Sequence, residues 1–234
     1  MYCDTNIITF YWDGIDRPGW SDFCLGAEYI NRLYRGICRN MSIPFEFHCF
    51  TNVSDMTPLL EKGINVKKLV PHSWRGCLPK LEAHSSINQA GMSGRIIVFD
   101  LDTVIVGDLT DICTYKEKPF ITRAWFKGIP QGTWLSGGDL LSFDVGATNY
   151  LYERYSLRPK SVEEWTGGRE RFVYREWAKE IDYWQRVLPT QIVSYKNHIM
   201  RTRKLPKNAR VVSCHGNPRP HQMWDQKWIQ ENWI

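Results

Sequence analysis

The feature that most constrains this chain is the run Arg95 to Val106. In it Ile96-Ile97-Val98-Phe99 ends at Asp100-Leu101-Asp102, and the apolar character resumes at Thr103-Val104. Four consecutive apolar residues mark a strand covered on both faces, as in a parallel sheet flanked by helices. Ionised carboxylates are costly to bury without a partner, so Asp100 and Asp102 are expected where the strand leaves the core. Residues two apart on an extended chain share a face, which lets both carboxylates converge on one ligand. Mg²⁺ or Mn²⁺ is the kind of hard cation that such oxygens suit, and it would in turn neutralise phosphate oxygens. A pair of loop-capping carboxylates is the plainer alternative.

The surrounding pattern agrees with an α/β fold. Ile7 to Trp12, Phe45 to Thr51 and Val66 to Val70 read as strands, and Ala27 to Asn40 places Ile30, Leu33, Tyr34 and Ile37 at helical spacing. Leu78 to Ala90 reads as a helix leading into the long apolar run. Further on, Phe120 to Trp125 and Leu140 to Phe143 read as strands joined by the Gly-rich connection Gly128 to Gly138. Thr148 to Tyr155 and Arg169 to Glu180 read as helices, and Val193 and Val211 to Cys214 as short late strands. The tail carries Trp224, Trp228 and Trp233 as an apolar helical stripe packing back on the core. With 234 residues the chain suits one domain made of two parts, at about 1–112 and about 113–234.

Composition narrows the function classes. No run of about 18 apolar residues occurs, so no membrane span is expected. Met1 to Asn6 carry no basic leader and Ile7 to Trp12 is too short for a signal core, so the expected location is the cytoplasm. The seven cysteines are scattered without a C-x-x-C pair, which fits reduced, mostly buried thiols rather than a disulfide framework or a zinc site. Residues 1–120 carry 12 basic and 14 acidic side chains and residues 121–234 carry 18 and 11, so the second half favours an anionic partner. Lys196 to Arg210 holds six basic residues and no acidic one.

A second motif is Val211-Val212-Ser213-Cys214-His215-Gly216-Asn217-Pro218-Arg219-Pro220, an apolar strand that delivers an imidazole into a turn. Imidazole ligates Mn²⁺-like ions, and Gly216 offers a phosphate close approach to backbone. Arg219 supplies a planar fork for bidentate phosphate pairing.

Taken together, IVFDLDTVIVGDLTDI (Ile97 to Ile112), HGNPRP (His215 to Pro220) and Pro79-Lys80-Leu81 resemble GT-A-fold glycosyltransferases. The likeness is strongest to family eight, the glycogenin and bacterial galactosyltransferase relatives. Tyr29 to Pro44 and Val193 to Arg210 resemble small bacterial and phage proteins of that kind. The resemblance implies a GT-A-type nucleotide-diphospho-sugar transferase with Mn²⁺ (or Mg²⁺) as cofactor and a nucleotide sugar, UDP-linked by preference, as donor. It implies Asp102 as direct metal ligand, Asp100 serving metal and ribose, and His215 completing the ligands. Lys80, Gly216 and Arg219 would then face the phosphates, and transfer would retain anomeric configuration. Where the family often has N-A/S-G and later G-D-Q, this chain has Ser136-Gly137-Gly138-Asp139 and Gly167-Gly168-Arg169-Glu170. Asp139 is the expected catalytic-site carboxylate, contacting a sugar hydroxyl or the acceptor, whereas Glu170 reads as the start of a solvated helix. The acceptor stays open among a glycan, a protein, a lipid-linked precursor and a modified nucleobase.

Two rivals come from other classes. Asp100-x-Asp102-x-Val104 also matches the nucleophile strand of haloacid-dehalogenase-like phosphatases, with Asp100 as nucleophile, and Gly138-Asp139 to Asp144 resembles their later metal motif. Only 36 residues separate Asp102 from Asp139, too few for the intervening elements of that fold, and HGNPRP has no role there. A carbohydrate-binding module using the tryptophans leaves both motifs unexplained.

Overall fold

The computed structural model describes residues 4–13, 26–115, 117–118, 120–122 and 136–234. The expected strand end at Trp125, most of the connection Gly128 to Gly138, and Cys3 and Cys24 lie outside the described residues. The strands are β1 Thr5–Tyr11, β2 Glu46–Thr51, β3 Ile64–Lys68, β4 Arg95–Phe99, β5 Thr103–Ile105, β6 Phe120–Thr122, β7 Leu140–Asp144, β8 Ile181–Tyr183, β9 Ile192–Ser194 and β10 Val211–Ser213. Among the described residues, one sheet runs in the order β3-β2-β1-β4-β7-β6-β8 and a second in the order β5-β10-β9. Strands β1 to β4 pair in parallel, β7 runs antiparallel to β4 and β6, and β8 is parallel to β6. The architecture is thus the expected α/β one, with a mainly parallel central sheet flanked by helices.

Alternation along β4 shows how the sheet is covered. Ile97 and Phe99 pack with Ile7, Phe47 and the helix Gly26–Asn40 through Ile30, Leu33 and Ile37. Ile96 and Val98 face the other way, onto Leu151, Tyr155, Val162, Val173 and Tyr174 of the helices Asn149–Ser156, Pro159–Thr166 and Arg171–Trp177. Each of these large side chains stabilises the fold by about 1.5–3 kcal/mol through burial, which is why the run is apolar without interruption.

The expectation of one long strand needs correction. The run breaks after Phe99: Asp100 to Thr103 form a turn closed by Thr103 N–H donating to the Asp100 carbonyl (3.1 Å), and the chain continues as β5 in the other sheet. The two aspartates therefore share a turn rather than a strand face. The physical reason is the cost of two adjacent carboxylates in a doubly covered strand.

Leu78 to Ala90 forms a short 3-10 segment, Leu78–His84, rather than a full helix. Asn88 and Gln89 side-chain amides donate to the carbonyls of Glu82 (3.0 Å) and Ala83 (2.8 Å), acceptors that a continuing helix would have used. The helix Pro159–Thr166 escaped the sequence reading although Pro159 starts it and Gly167 ends it at φ +57°. In the tail, Trp228 and Trp233 are buried as expected, while Trp224 stays 44% exposed. The Arg32 guanidinium lies 4.2 Å from the Trp233 ring centroid and 5.1 Å from that of Trp224. Among the described cysteines Cys49, Cys113 and Cys214 are buried, Cys77 is intermediate and Cys38 is exposed, and none of these is in a disulfide. No helix among the described residues is long and apolar enough to cross a membrane.

His84 closes the 3-10 segment inside the helical layer, its Nδ1 2.8 Å from Thr148 Oγ1 and its ring 4.4 Å from that of Phe143. Burial pushes its pKa from 6.5 down to about 3. Between those values the unfolded chain binds the extra proton, so this contribution to stability is complete above pH 6.5 and is lost as pH falls. His48, lowered to about 4 by burial and by Lys67, acts in the same sense. Thermal midpoints are expected to drop from pH 7 to pH 4, and His84→Gln should flatten that slope. An unchanged slope would mean that the ring is not held neutral.

Candidate active site

Two strand registers assemble the site. Pairing of Phe99 with Leu140 sets Asp139 beside Asp100, whose N–H donates to the Asp139 carbonyl at 3.1 Å. Pairing of Thr103 with Ser213 sets Asp102 beside Cys214, whose N–H donates to the Asp102 carbonyl at 3.0 Å, and delivers His215 next in the chain. Carboxyl ends of strands in open α/β sheets are where ligands bind, and both β4 and β10 end here.

Each aspartate meets a cation. Lys80, from the Leu78–His84 segment, forms an ion pair with Asp100, approaches Glu170 at 3.6 Å and lies 3.5 Å from the Gly138 carbonyl. Burial works against the Lys80 ammonium, but the charges of Asp100 and Glu170 outweigh it and hold the pKa above the usual lysine range. For Glu170 burial raises the pKa and the Lys80 charge opposes that rise. Arg219, anchored where its N–H donates to Gln222 Oε1 (2.7 Å), forms an ion pair with Asp102. Burial lowers the Arg219 pKa, and the charges of Asp100 and Tyr29 act the other way.

The remaining expected residues fall close by. His215 Nε2 is 2.8 Å from Ser194 Oγ, so β9 orients the ring. Gly216 sits at φ +68°, and a Cβ there would lie 2.7 Å from Lys196 Nζ, so this turn brings an ammonium from the basic stretch to the site. Asp139 Oδ2 accepts from Ser213 Oγ at 3.3 Å. Beside this group Tyr29 pairs with His221; burial raises its hydroxyl pKa to about 12 against the opposing effects of His221 and Arg219.

The sequence reading of Glu170 was wrong. It is buried rather than solvated, and it packs so closely that a Cβ on Gly138 would stand 2.0 Å from its Oε1. Two glycine pairs in otherwise ordinary segments, Gly137-Gly138 and Gly167-Gly168, were the available signal for such an approach.

Asp100, Asp102 and His215 supply the oxygen and imidazole donors that suit a divalent cation, and buried Asp102 Oδ1 has no hydrogen-bond partner among the described residues. Among the described residues, no group of three or more His, Cys, Asp or Glu side chains is arranged to hold a metal ion. A cation at the turn would take the place of Arg219 as the counter-charge of Asp102, and the unpartnered Oδ1 is the atom there that suits it.

No family model matches the sequence, and no curated protein does. Solved structures do match. A crystal structure of the galactosyltransferase LgtC in complex with donor and acceptor sugar analogs is similar with a TM-score of 0.65 at 10% identity, over 97% of this chain and 94% of that one. The glycosyltransferase GlyE of Streptococcus pneumoniae is similar with a TM-score of 0.58 at 12% identity, over 93% of this chain but 56% of GlyE. At these identities the likeness establishes a shared fold.

Gly138→Ala should displace Glu170 from Lys80. Overpacking of this kind costs about 1–3 kcal/mol, or roughly 2–12 °C of thermal midpoint for a chain of this size. Adding Glu170→Ala should recover part of the loss, so the double-mutant cycle will be non-additive. Strictly additive losses would show that the two positions do not press on each other.

Proposed function

We propose that this chain is a metal-dependent glycosyltransferase that moves a sugar from a nucleotide-diphosphate sugar, UDP-linked by preference, to an acceptor. One observation carries the reading. Two aspartates, two counter-cations and an imidazole meet at the carboxyl ends of β4 and β10, in a fold shared with a galactosyltransferase crystallised with donor and acceptor sugar analogs.

Asp100 and Asp102, with His215, are the residues that would hold Mn²⁺ or Mg²⁺. Bound there, the cation supplies Lewis-acid neutralisation of the leaving diphosphate. The protein's own groups do the rest. Lys80 and Arg219 present fixed positive charge in a poorly solvated setting, where charge is worth more than in water. The pair with Asp100 keeps Lys80 protonated and aimed before the donor arrives, while Arg219, released from Asp102 when the cation binds, becomes available to the diphosphate. Gly216 leaves backbone accessible to a phosphate, and Asp139 contacts a sugar hydroxyl or the acceptor. Retention of configuration is the stereochemical course that the family resemblance implies. The phosphatase alternative places a nucleophile at Asp100 and leaves HGNPRP without a role.

UDP is expected to raise the thermal midpoint in Mn²⁺ and much less in EDTA; equal shifts in both would remove the bridging cation. Asp102→Asn should fold and lose sugar transfer, and Arg219→Ala should weaken UDP binding about tenfold to a hundredfold through loss of a charge-assisted pair. Aryl-phosphate hydrolysis that Asp100→Asn abolishes and His215→Ala leaves untouched would instead establish the phosphatase.

A further inference from the structure

Lys80 and Arg219, the cations assigned to the diphosphate, already have carboxylate partners. Lys80 pairs with Asp100 and approaches Glu170, and Arg219 pairs with Asp102. Lys196, the first basic residue of the acid-free stretch Lys196 to Arg210, stands in a different position. A Cβ on Gly216 would lie 2.7 Å from its Nζ, so the ammonium occupies the space that a side chain at position 216 would take. Gly216 is exposed, follows His215 directly and has φ +68°, a conformation that favours glycine. Among the described residues, Lys196 Nζ forms neither a hydrogen bond nor an ion pair. Lys204 and Lys207 of the same stretch are fully exposed, whereas Lys196 is half-buried against the turn.

The base of this lysine is held firmly. β9 pairs in parallel with β10, Ser194 opposite Ser213, and a single helical turn, Tyr195–Ile199, follows it. Ser194 Oγ accepts from the Asn197 N–H at 3.3 Å and is also the atom 2.8 Å from His215 Nε2. One hydroxyl thus fixes both the turn that carries Lys196 and the imidazole beside Gly216. Next to Lys196, the Tyr195 hydroxyl accepts from Gln226 Nε2 at 2.8 Å and its ring stacks on Trp228, with centroids 6.1 Å apart. A lysine rooted in a fixed turn and half-covered there has less freedom to lose on meeting a ligand than one on an open loop.

We propose that Lys196 binds the diphosphate of the donor, in addition to Lys80 and Arg219. The assignment rests on the transferase reading and adds a residue to its donor subsite. A phosphate that draws on Lys80 competes with Asp100 and Glu170, and one that draws on Arg219 competes with Asp102 until a cation takes that carboxylate. Lys196 gives up no described protein partner, so its attraction is offset only by its own desolvation. An ammonium also serves a phosphate as a point charge without demanding the fixed geometry of a guanidinium fork. Its place beside Gly216 is where the backbone is open to a phosphate next to His215.

The test titrates UDP into the full chain by calorimetry in Mn²⁺ at about 0.15 M salt, where charges beyond roughly 8 Å are screened, and measures uridine by competition. Lys196→Gln should weaken UDP about tenfold or more, the measure of one lost charge-assisted hydrogen bond, and leave uridine unchanged. Lys196→Arg keeps the charge and should recover most of the UDP affinity. Lys207→Gln removes an exposed charge from the same stretch and should change neither ligand. Thermal midpoints of the unliganded variants should match the parent, which separates loss of a phosphate contact from loss of structure. The assignment is overturned by UDP affinity that ignores Lys196→Gln, by equal weakening of UDP and uridine, or by a loss as large in Lys207→Gln. It is equally overturned if Lys196→Arg binds UDP no better than Lys196→Gln. A parent protein that binds no UDP would overturn the transferase reading and the assignment together, whereas UDP binding indifferent to Lys196 overturns the assignment alone.

Discussion

Two carboxylates placed in the middle of a doubly covered strand cannot stay in the core, and the architecture of this protein follows from where they go. β4 ends at Phe99 because Asp100 and Asp102 would otherwise be buried without compensation. The turn they form passes the chain from the sheet that holds β4 to the one that holds β5, so a single electrostatic constraint joins the two layers. It also leaves both carboxylates at a junction that loops from elsewhere in the chain can reach.

What reaches it is positive. Lys80 and Arg219 are themselves largely buried, and each is tolerable there only because a carboxylate faces it. Glu170 extends the same logic, filling the space that Gly138 leaves open and sharing the Lys80 charge. A chain of alternating charges in poorly solvated surroundings holds each group in one orientation. Orientation settled before a charged ligand arrives is what electrostatic stabilisation of a leaving diphosphate requires. The imidazole of His215 is set by a different device, a hydroxyl on the neighbouring strand β9.

By itself the sequence determined the class of the fold and picked out most residues of the candidate site. Apolar runs of strand length and a helix with its stripe at Ile30, Leu33 and Ile37 required a covered, mainly parallel sheet, because no other arrangement buries those side chains. Asp100, Asp102, His215 and Arg219 stood out as charged or titratable groups that close apolar strands, whereas Lys80 and Asp139 were named only through the family resemblance. Tertiary structure alone decided how these residues relate. That the aspartates share a turn rather than a face, that Asp139 lies beside Asp100, and that Glu170 points inward all depend on strand register and on packing between segments 32 to 90 residues apart. Local periodicity reports which side of an element is apolar. It carries no information on which distant cation will stand opposite a given carboxylate, since that partnership is set by the fold as a whole.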